Sequence, residues 1–376
     1  MEYACLKDVC SIIMGQSPES SSYNEDGEGV PFFQGNADFG EVYPCVRVWS
    51  NEPKKMASTN DILISVRAPI GALNYAKEDC CIGRGLAAIT PSSRVNLKYI
   101  YYLLRAKNSE LNSKGTGSTF KAIGKSVLEE TLVPMLSIGE QVKIVSKIES
   151  AEGIIRKRRE QLLELDNLIK SRFVEMFGDP IINPKGWEMV TIGDIATDVR
   201  YGTSRPAVEG GRYPYLRMNN LTIDGHLDLS DLKYIDIPEG EFEKCIVKKG
   251  DILFNRTNSI ELVGKTAVFD LAEDMIIAGY IIRVRLNDRL LPEILAQYMN
   301  LEAIKDILRG MAKGAVNQAN INAQELQSIK VYIPDMELQE QFLRMKTQVT
   351  KLKFEVQKSL DETQTLMDSL MQQYFG

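Results

Sequence analysis

Residues 138–177 read IGEQVKIVSKIESAEGIIRKRREQLLELDNLIKSRFVEMF, and this stretch decides the fold. It holds no proline, and only Gly139 and Gly153 interrupt it. Ile148, Ile155, Leu162, Ile169 and Met176 recur every seven residues, with Ile144, Ala151 and Leu165 between them. That spacing predicts a long helix with a coiled-coil seam. Two seam positions, Arg158 and Arg172, are polar and are read as register or partner contacts. About 39 residues at ~1.5 Å each give a rod of roughly 58 Å, longer than a domain of about 135 residues is wide. Much of the rod therefore needs a partner beyond its own globular domain.

The partner is a second stretch near the C-terminus: Leu338, Phe342, Met345, Val349, Leu352, Val356 and Leu360, then Leu366 and Leu370, with an interruption at Thr363. Two such stretches belong to a chain built twice. Leu6-Lys7-Asp8-Val9 is answered by Ile192-Gly193-Asp194-Ile195, and Val30-Pro31-Phe32 by Tyr213-Pro214-Tyr215. Asn60-Asp61-Ile62-Leu63-Ile64 is answered by Gly250-Asp251-Ile252-Leu253-Phe254. Val133-Pro134 matches Ile333-Pro334, and Glu140-Gln141 matches Glu340-Gln341, both at an offset of 200. Ser171 with Phe177-Gly178 matches Ser369 with Phe375-Gly376 at 198. Drifting offsets with kept order mark an internal repeat with loop insertions.

Within each copy the first ~135 residues are short apolar runs broken by Gly, Asn, Asp and Pro, with helix-like stretches near 97–112 and 292–310. The fold class read from this is α+β: two globular domains, residues 1–137 and 187–335, each followed by a long helix, 138–178 and 336–376, with a Pro- and Gly-punctuated connector at 179–186. Antiparallel pairing of the helices would put the two globular domains at opposite ends of a spacer.

Composition excludes more than it suggests. The 376 residues are 44% hydrophobic and 26% charged, with a net charge of −6, and no apolar run approaches the ~20 residues of a membrane span. Glu2 and Asp8 near the start leave no basic n-region, so no export signal and a cytoplasmic location are expected. Six scattered cysteines without a C-x-x-C are read as reduced thiols. His226 is the one histidine, which disfavours catalytic triads and most zinc sites.

Nor is catalytic or cofactor chemistry visible. Gly124-Lys125-Ser126 resembles the end of a phosphate-binding loop, but Thr119 stands where the first glycine belongs. No G-x-G-x-x-G follows a strand, and no Pro-Pro-aromatic tetrapeptide of an adenine methyltransferase is present. Glu52-Pro53-Lys54 reads as a turn, and Glu129-Glu130 and Glu273-Asp274 as solvated faces. No metal and no cofactor are expected.

The loops offer polar groups at matching points of the repeat instead. In copy one these are Gly15-Gln16-Ser17, Gln34 and Asn36, Arg67, Arg84 and the run from Lys114 to Lys121. Copy two has Tyr201-Gly202-Thr203-Ser204, Arg217 with Asn219 and Asn220, and Arg256 with Asn258. It also has Lys313, Asn317 and Gln318. Arginine suits guanine and Asn or Gln suits adenine in bidentate pairing, while Lys near Gly suits phosphate oxygens. These residues are the candidate DNA contacts, Lys121 and Lys313 being the phosphate candidates. Segment charge gives this little help: residues 186–335 carry a net −5.

At this point the chain resembles the specificity subunit of type I restriction-modification enzymes. The resemblance covers essentially the whole sequence and rests on Gly117-Ser118-Thr119-Phe120-Lys121 through Leu128 and Pro134, then Glu140-Gln141, the long helix, and Phe177-Gly178-Asp179-Pro180. Pro184-Lys185-Gly186-Trp187 then opens a second copy that ends Tyr374-Phe375-Gly376. It implies two target recognition domains that each read half of an interrupted site in double-stranded DNA, and paired helices that dock the methyltransferase (modification) subunits. A motor-nuclease (restriction) subunit can join, and the chain itself would have no catalytic site. The acidic second domain departs from a simple DNA-binding pattern. The alternatives are a self-sufficient DNA-modifying enzyme with an unrecognised site, and a helical adaptor that binds only protein.

Overall fold

The computed structural model describes residues 2–117, 121–315 and 318–376, the side chains of 313–318 excepted. The chain divides into two compact units, Met1–Glu160 with Val356–Gly376, and Gln161–Glu355. No described helix is long and apolar enough to cross a membrane.

In the first unit Glu2–Cys5 pairs antiparallel with Leu132–Met135. A four-stranded sheet runs in the order Cys10–Met14, Leu86–Pro91, Ile62–Ser65, Leu73–Tyr75. A further sheet joins Val30–Phe33 in parallel to Cys80–Ile82. The second unit repeats this plan. Glu188–Thr191 pairs with Lys330–Ile333, and the four-stranded order is Ala196–Tyr201, Ile281–Leu286, Ile252–Asn255, Thr266–Val268. Tyr213–Leu216 lies parallel to Met275–Ile277. The helix-like stretches are short helices, Leu97–Ala106 and Asn108–Ser113 in the first unit and Pro292–Met299 and Glu302–Met311 in the second.

Backbone hydrogen bonds fix the register of the repeat. Leu6 N donates to Thr131 O as Ile192 N donates to Ile329 O, and Gly15 N donates to Leu86 O as Gly202 N donates to Ile281 O. Cys5 opposes Leu132, and Thr191 opposes Lys330. The strand before each long helix is thus offset by 198, the same offset that Phe177 and Phe375 show. The sequence match of Val133-Pro134 with Ile333-Pro334 is a slip of two residues. A strand shifted by two keeps the same face inward, so the apolar pattern does not reveal the slip.

The long helices run Ile138–Phe177 and Met336–Phe375. The first begins at a reciprocal cap, with Ser137 N donating to Glu140 Oε2 at 3.0 Å and Glu140 N donating to Ser137 Oγ at 3.3 Å. It ends where Gly178, at φ +90°, donates back to Val174 O. In the first unit Ile144, Ile148, Ala151 and Ile155 share one core with Tyr99, Leu103, Met367 and Phe375, and Lys147 Nζ lies 3.2 Å from Tyr374 Oη. In the second unit Ile169, Phe173 and Phe177 share a core with Phe342 and Val349. There Asp166 pairs with Lys353, and the rings of Phe173 and Phe342 meet edge-on at 5.2 Å. In the second unit numbers rise on one helix as they fall on the other, from Asp166 against Lys353 to Phe173 against Phe342, so the helices pair antiparallel there.

The seam differs from its sequence reading at three points. Phe173 is buried where Arg172 was expected, and Arg172 pairs instead with Glu175 on its own helix. Lys353 turns toward Asp166 while Leu352 is 55% exposed, and Met367 is buried while Leu366 is exposed. A straight helix has about 3.6 residues per turn, so an inward stripe drifts off a strict heptad by about 20° per seven residues and moves by one position over roughly five heptads.

Candidate nucleic-acid interface

In the first unit, strand Val30–Phe33 delivers Gln34 and Gly35 to a one-turn helix, Asn36–Asp38. Asp38 is buried, and one carboxylate oxygen accepts from Gln34 N at 2.7 Å and Gly35 N at 3.3 Å while the other pairs with Arg47. The Gly83-Arg84-Gly85 turn packs directly on this loop. A Cβ at Gly85 would stand 2.5 Å from Gln34 O, so only glycine lets the two backbones approach. Gly15 and Gly202 play a like part in their two copies, since a Cβ on either would stand 2.2 Å from a facing carbonyl oxygen.

The result is a cleft of about 310 Å³ that brings Gln34, Asn36, Arg67 and Arg84 together with Ser17 and Arg47. Arg67 and Arg84 are exposed. Among the described residues neither guanidinium has a hydrogen-bond or ion-pair partner; the Arg84 backbone N–H alone lies 3.5 Å from Ser17 Oγ. Two unpaired guanidiniums in one cleft can each approach a guanine edge or a phosphate with both donors. Lys121 lies outside the lining. It is exposed next to Ala122, which bridges to Arg67.

The second unit builds the equivalent cleft from the equivalent loop. Strand Tyr213–Leu216 delivers Arg217 to the turn Met218–Asn220. Asn220 takes the place of Asp38: it is buried, its Oδ1 accepts from Arg217 N at 2.9 Å, and its Nδ2 donates to Asp228 O at 2.8 Å. Its amide therefore holds the loop. Arg217, Asn219 and Arg256 do line a common cleft, of about 520 Å³, together with Thr203, Arg205 and Tyr280. Asn258 is not in the lining, and its amide is engaged by Asn255 Oδ1 and Ser259 N, both at 2.9 Å.

The charges of this cleft are arranged differently. Arg217 donates to Asp231 Oδ2 at 2.7 Å, and Arg205 forms a two-pronged pair with Glu241 at 2.7 and 3.1 Å. Lys233 and then Arg217 hold the Asp231 carboxyl below its ordinary value. The Arg256 guanidinium lies 4.9 Å over the Tyr201 ring, a cation–π contact that fixes its plane, and its Nη1 donates to Gly279 O at 3.5 Å. Lys313 and Gln318 lie on the paired strands Lys313–Ala315 and Gln318–Asn320, the latter beside Thr257–Asn258. Their side chains, and Asn317 entirely, fall outside the described residues.

Two cleft arginines escaped the sequence reading. Arg47 sits in the loop between Val30–Phe33 and Trp49–Ser50, and the matching loop of copy two, between Tyr213–Leu216 and Lys233–Ile235, carries no sequence match that would single it out. Arg205 directly follows Thr203-Ser204, so its signal is its place at the end of that polar run.

The family model for the type I restriction modification DNA specificity domain matches the chain twice, at residues 1–165 and 184–363. A putative type I restriction enzyme MjaX specificity subunit of Methanocaldococcus jannaschii is 44% identical over 155 residues, 40% of this chain and 36% of that protein. The type I restriction enzyme MjaIX specificity subunit of the same organism is 30% identical over 256 residues, 60% of this chain and 59% of that one. The matched part thus spans less than two thirds of either relative. A solved structure described as the structural basis of complex assembly and conformational transition of the type I R-M system shares the fold at a TM-score of 0.67 and 18% identity, covering 100% of this chain and 97% of its own. With its two copies matched across most of their length, the chain belongs to the type I restriction modification DNA specificity family.

Proposed function

We propose that the chain is the non-catalytic DNA-recognition subunit of a type I restriction-modification complex and acts in the cytoplasm. Residues 1–137 and 187–335 serve as two target recognition domains, each reading one half of a bipartite site in double-stranded DNA. The helical segments 138–178 and 336–376 dock the methyltransferase subunits, residues 179–186 connecting the first of them to the second recognition domain, and a motor-nuclease subunit joins the same complex. The observation that carries this reading is the pair of clefts on equivalent loops of a repeated chain, lined by different side chains. Equivalent placement suits two readers of one kind, and different chemistry suits two different half-sites. Leu163, Leu352 and Phe354 stand 62%, 55% and 67% exposed on helical segments of the second unit, apolar surface of the kind a protein partner covers.

Mapping methylated bases in cells that carry the chain and its methyltransferase partner tests the reading. The expected result is one motif in two read parts separated by unread base pairs. A single contiguous motif, or methylation without sequence preference, would contradict it. The isolated chain given DNA, S-adenosylmethionine, magnesium and ATP is expected neither to methylate nor to cleave.

A further inference from the structure

The turn Met218–Asn220 presents Arg217 and Asn219 to the second cleft, yet a single helical turn cannot satisfy its own carbonyls. Lys265 does so from behind. It is 7% exposed, and its ammonium donates to Met218 O at 2.7 Å and also to Leu221 O. A cation at the carbonyl end of a helical turn is favourable both as a donor and as a charge. The Lys265 backbone is itself clamped on both sides: Lys305 donates to Gly264 O, and Asn300 Nδ2 donates to Thr266 O at 2.6 Å.

The first unit solves the same problem without a buried cation. Ser65 N donates to Ala72 O as Asn255 N donates to Lys265 O, so Ala72 occupies the place of Lys265. The loop there is held by Asp38 with Arg47, and by Asn74, whose amide exchanges two 3.0 Å hydrogen bonds with the backbone of Gly40. The buried lysine is thus particular to the second half.

We propose that Lys265 is a positioning residue for base reading in the second half, setting the specificity of one half-site by fixing the Arg217–Asn219 loop without touching DNA. This rests on the reading of the chain as a DNA-recognition subunit. Replacing the ammonium with an isosteric apolar chain leaves two carbonyls near the cleft without their donor, and the loop must shift to hydrate them. Arg217 and Asn219 then lose the fixed placement that bidentate contact with a base needs.

The test uses the full chain in its methyltransferase complex, with a duplex library randomised at each base pair of both half-sites and methylation as the readout. Lys265→Met is expected to flatten discrimination at one or more base pairs of one half-site by tenfold or more, with discrimination in the other half-site unchanged. Lower rates with discrimination kept in both half-sites, or lost equally in both, would overturn the assignment, since a purely structural lysine acts that way. Should the Met variant not fold, Lys265→Gln keeps a shorter donor toward the same carbonyls and is judged by the same one-sided loss. A wild-type complex that shows no preference at either half-site would instead sink the recognition reading itself.

Discussion

Gln141 and Gln339 make the same set of hydrogen bonds in the two halves. Gln141 Oε1 accepts from Asn96 N at 2.7 Å while its Nε2 donates to Leu136 O and Arg94 O. Gln339 Oε1 accepts from Leu291 N at 2.9 Å while its Nε2 donates to Pro334 O and Arg289 O. Both side chains are fully buried, and each ties the first turn of a long helix to the N-terminus of a shorter one. Replacing either with leucine leaves a buried N–H and two carbonyls unpaired. We expect a loss of about 2–4 kcal/mol, given 1–3 kcal/mol per unsatisfied buried group and partial relaxation. Urea denaturation of Gln141→Leu and Gln339→Leu checks this, and a shift under about 0.5 kcal/mol in either would show that the tie is idle.

The same pair shows what was legible in the sequence and what was not. The repeat, the two long helices and the α+β character follow from apolar periodicity, which survives small register errors. The match of Glu140-Gln141 to Glu340-Gln341 was two residues off because identity alone cannot tell which glutamine faces inward. In the clefts, Gln34, Asn36, Arg67 and Arg84 come together because loops at one end of a sheet converge. Asn220 and Asn258 hold backbone or neighbouring amides instead. Residue type cannot separate an amide that reads a base from one that builds a turn, since both need the same donors and acceptors. Lys265 was invisible for a related reason: in sequence a buried lysine looks like any other.

Lys305 gives a pH dependence of known sign. Burial lowers its pKa from 10.5 to about 8. Between about pH 8 and 10.5 the unfolded chain therefore holds more protons than the folded one, and stability from this group rises with pH across that window. Below pH 8 both states are protonated and the burial penalty stands in full. Measured at pH 7.5 and 9.5, wild type should gain stability relative to Lys305→Met as pH rises. Parallel pH profiles for the two proteins would contradict the assignment.

The pair Arg217–Asp231 holds a cleft guanidinium on an exposed carboxylate, which DNA has to displace. Asp231→Ala removes the carboxylate partner and a negative charge, leaving the guanidinium only its 2.9 Å bond to the Asp231 backbone carbonyl, so DNA affinity of the complex should rise roughly two- to fivefold at low salt, with the gain shrinking as salt is added. Titrations at two ionic strengths check this. Unchanged or weaker binding would mean that Asp231 orients Arg217 for contact rather than competing for it.

The central claim, that each half reads its own half-site, is tested most directly by comparing Arg67→Ala with Arg256→Ala in the methyltransferase complex on a panel of single-base duplex variants. Each is predicted to relax one base pair, at a cost of ~1–3 kcal/mol, and the two relaxed positions fall in different half-sites. Lys121→Ala is the control, expected to weaken all duplexes alike and to lower the salt slope by about one. If Arg67→Ala and Arg256→Ala relax the same half-site, or weaken every duplex equally as Lys121→Ala does, the two clefts are not independent readers and the account is contradicted.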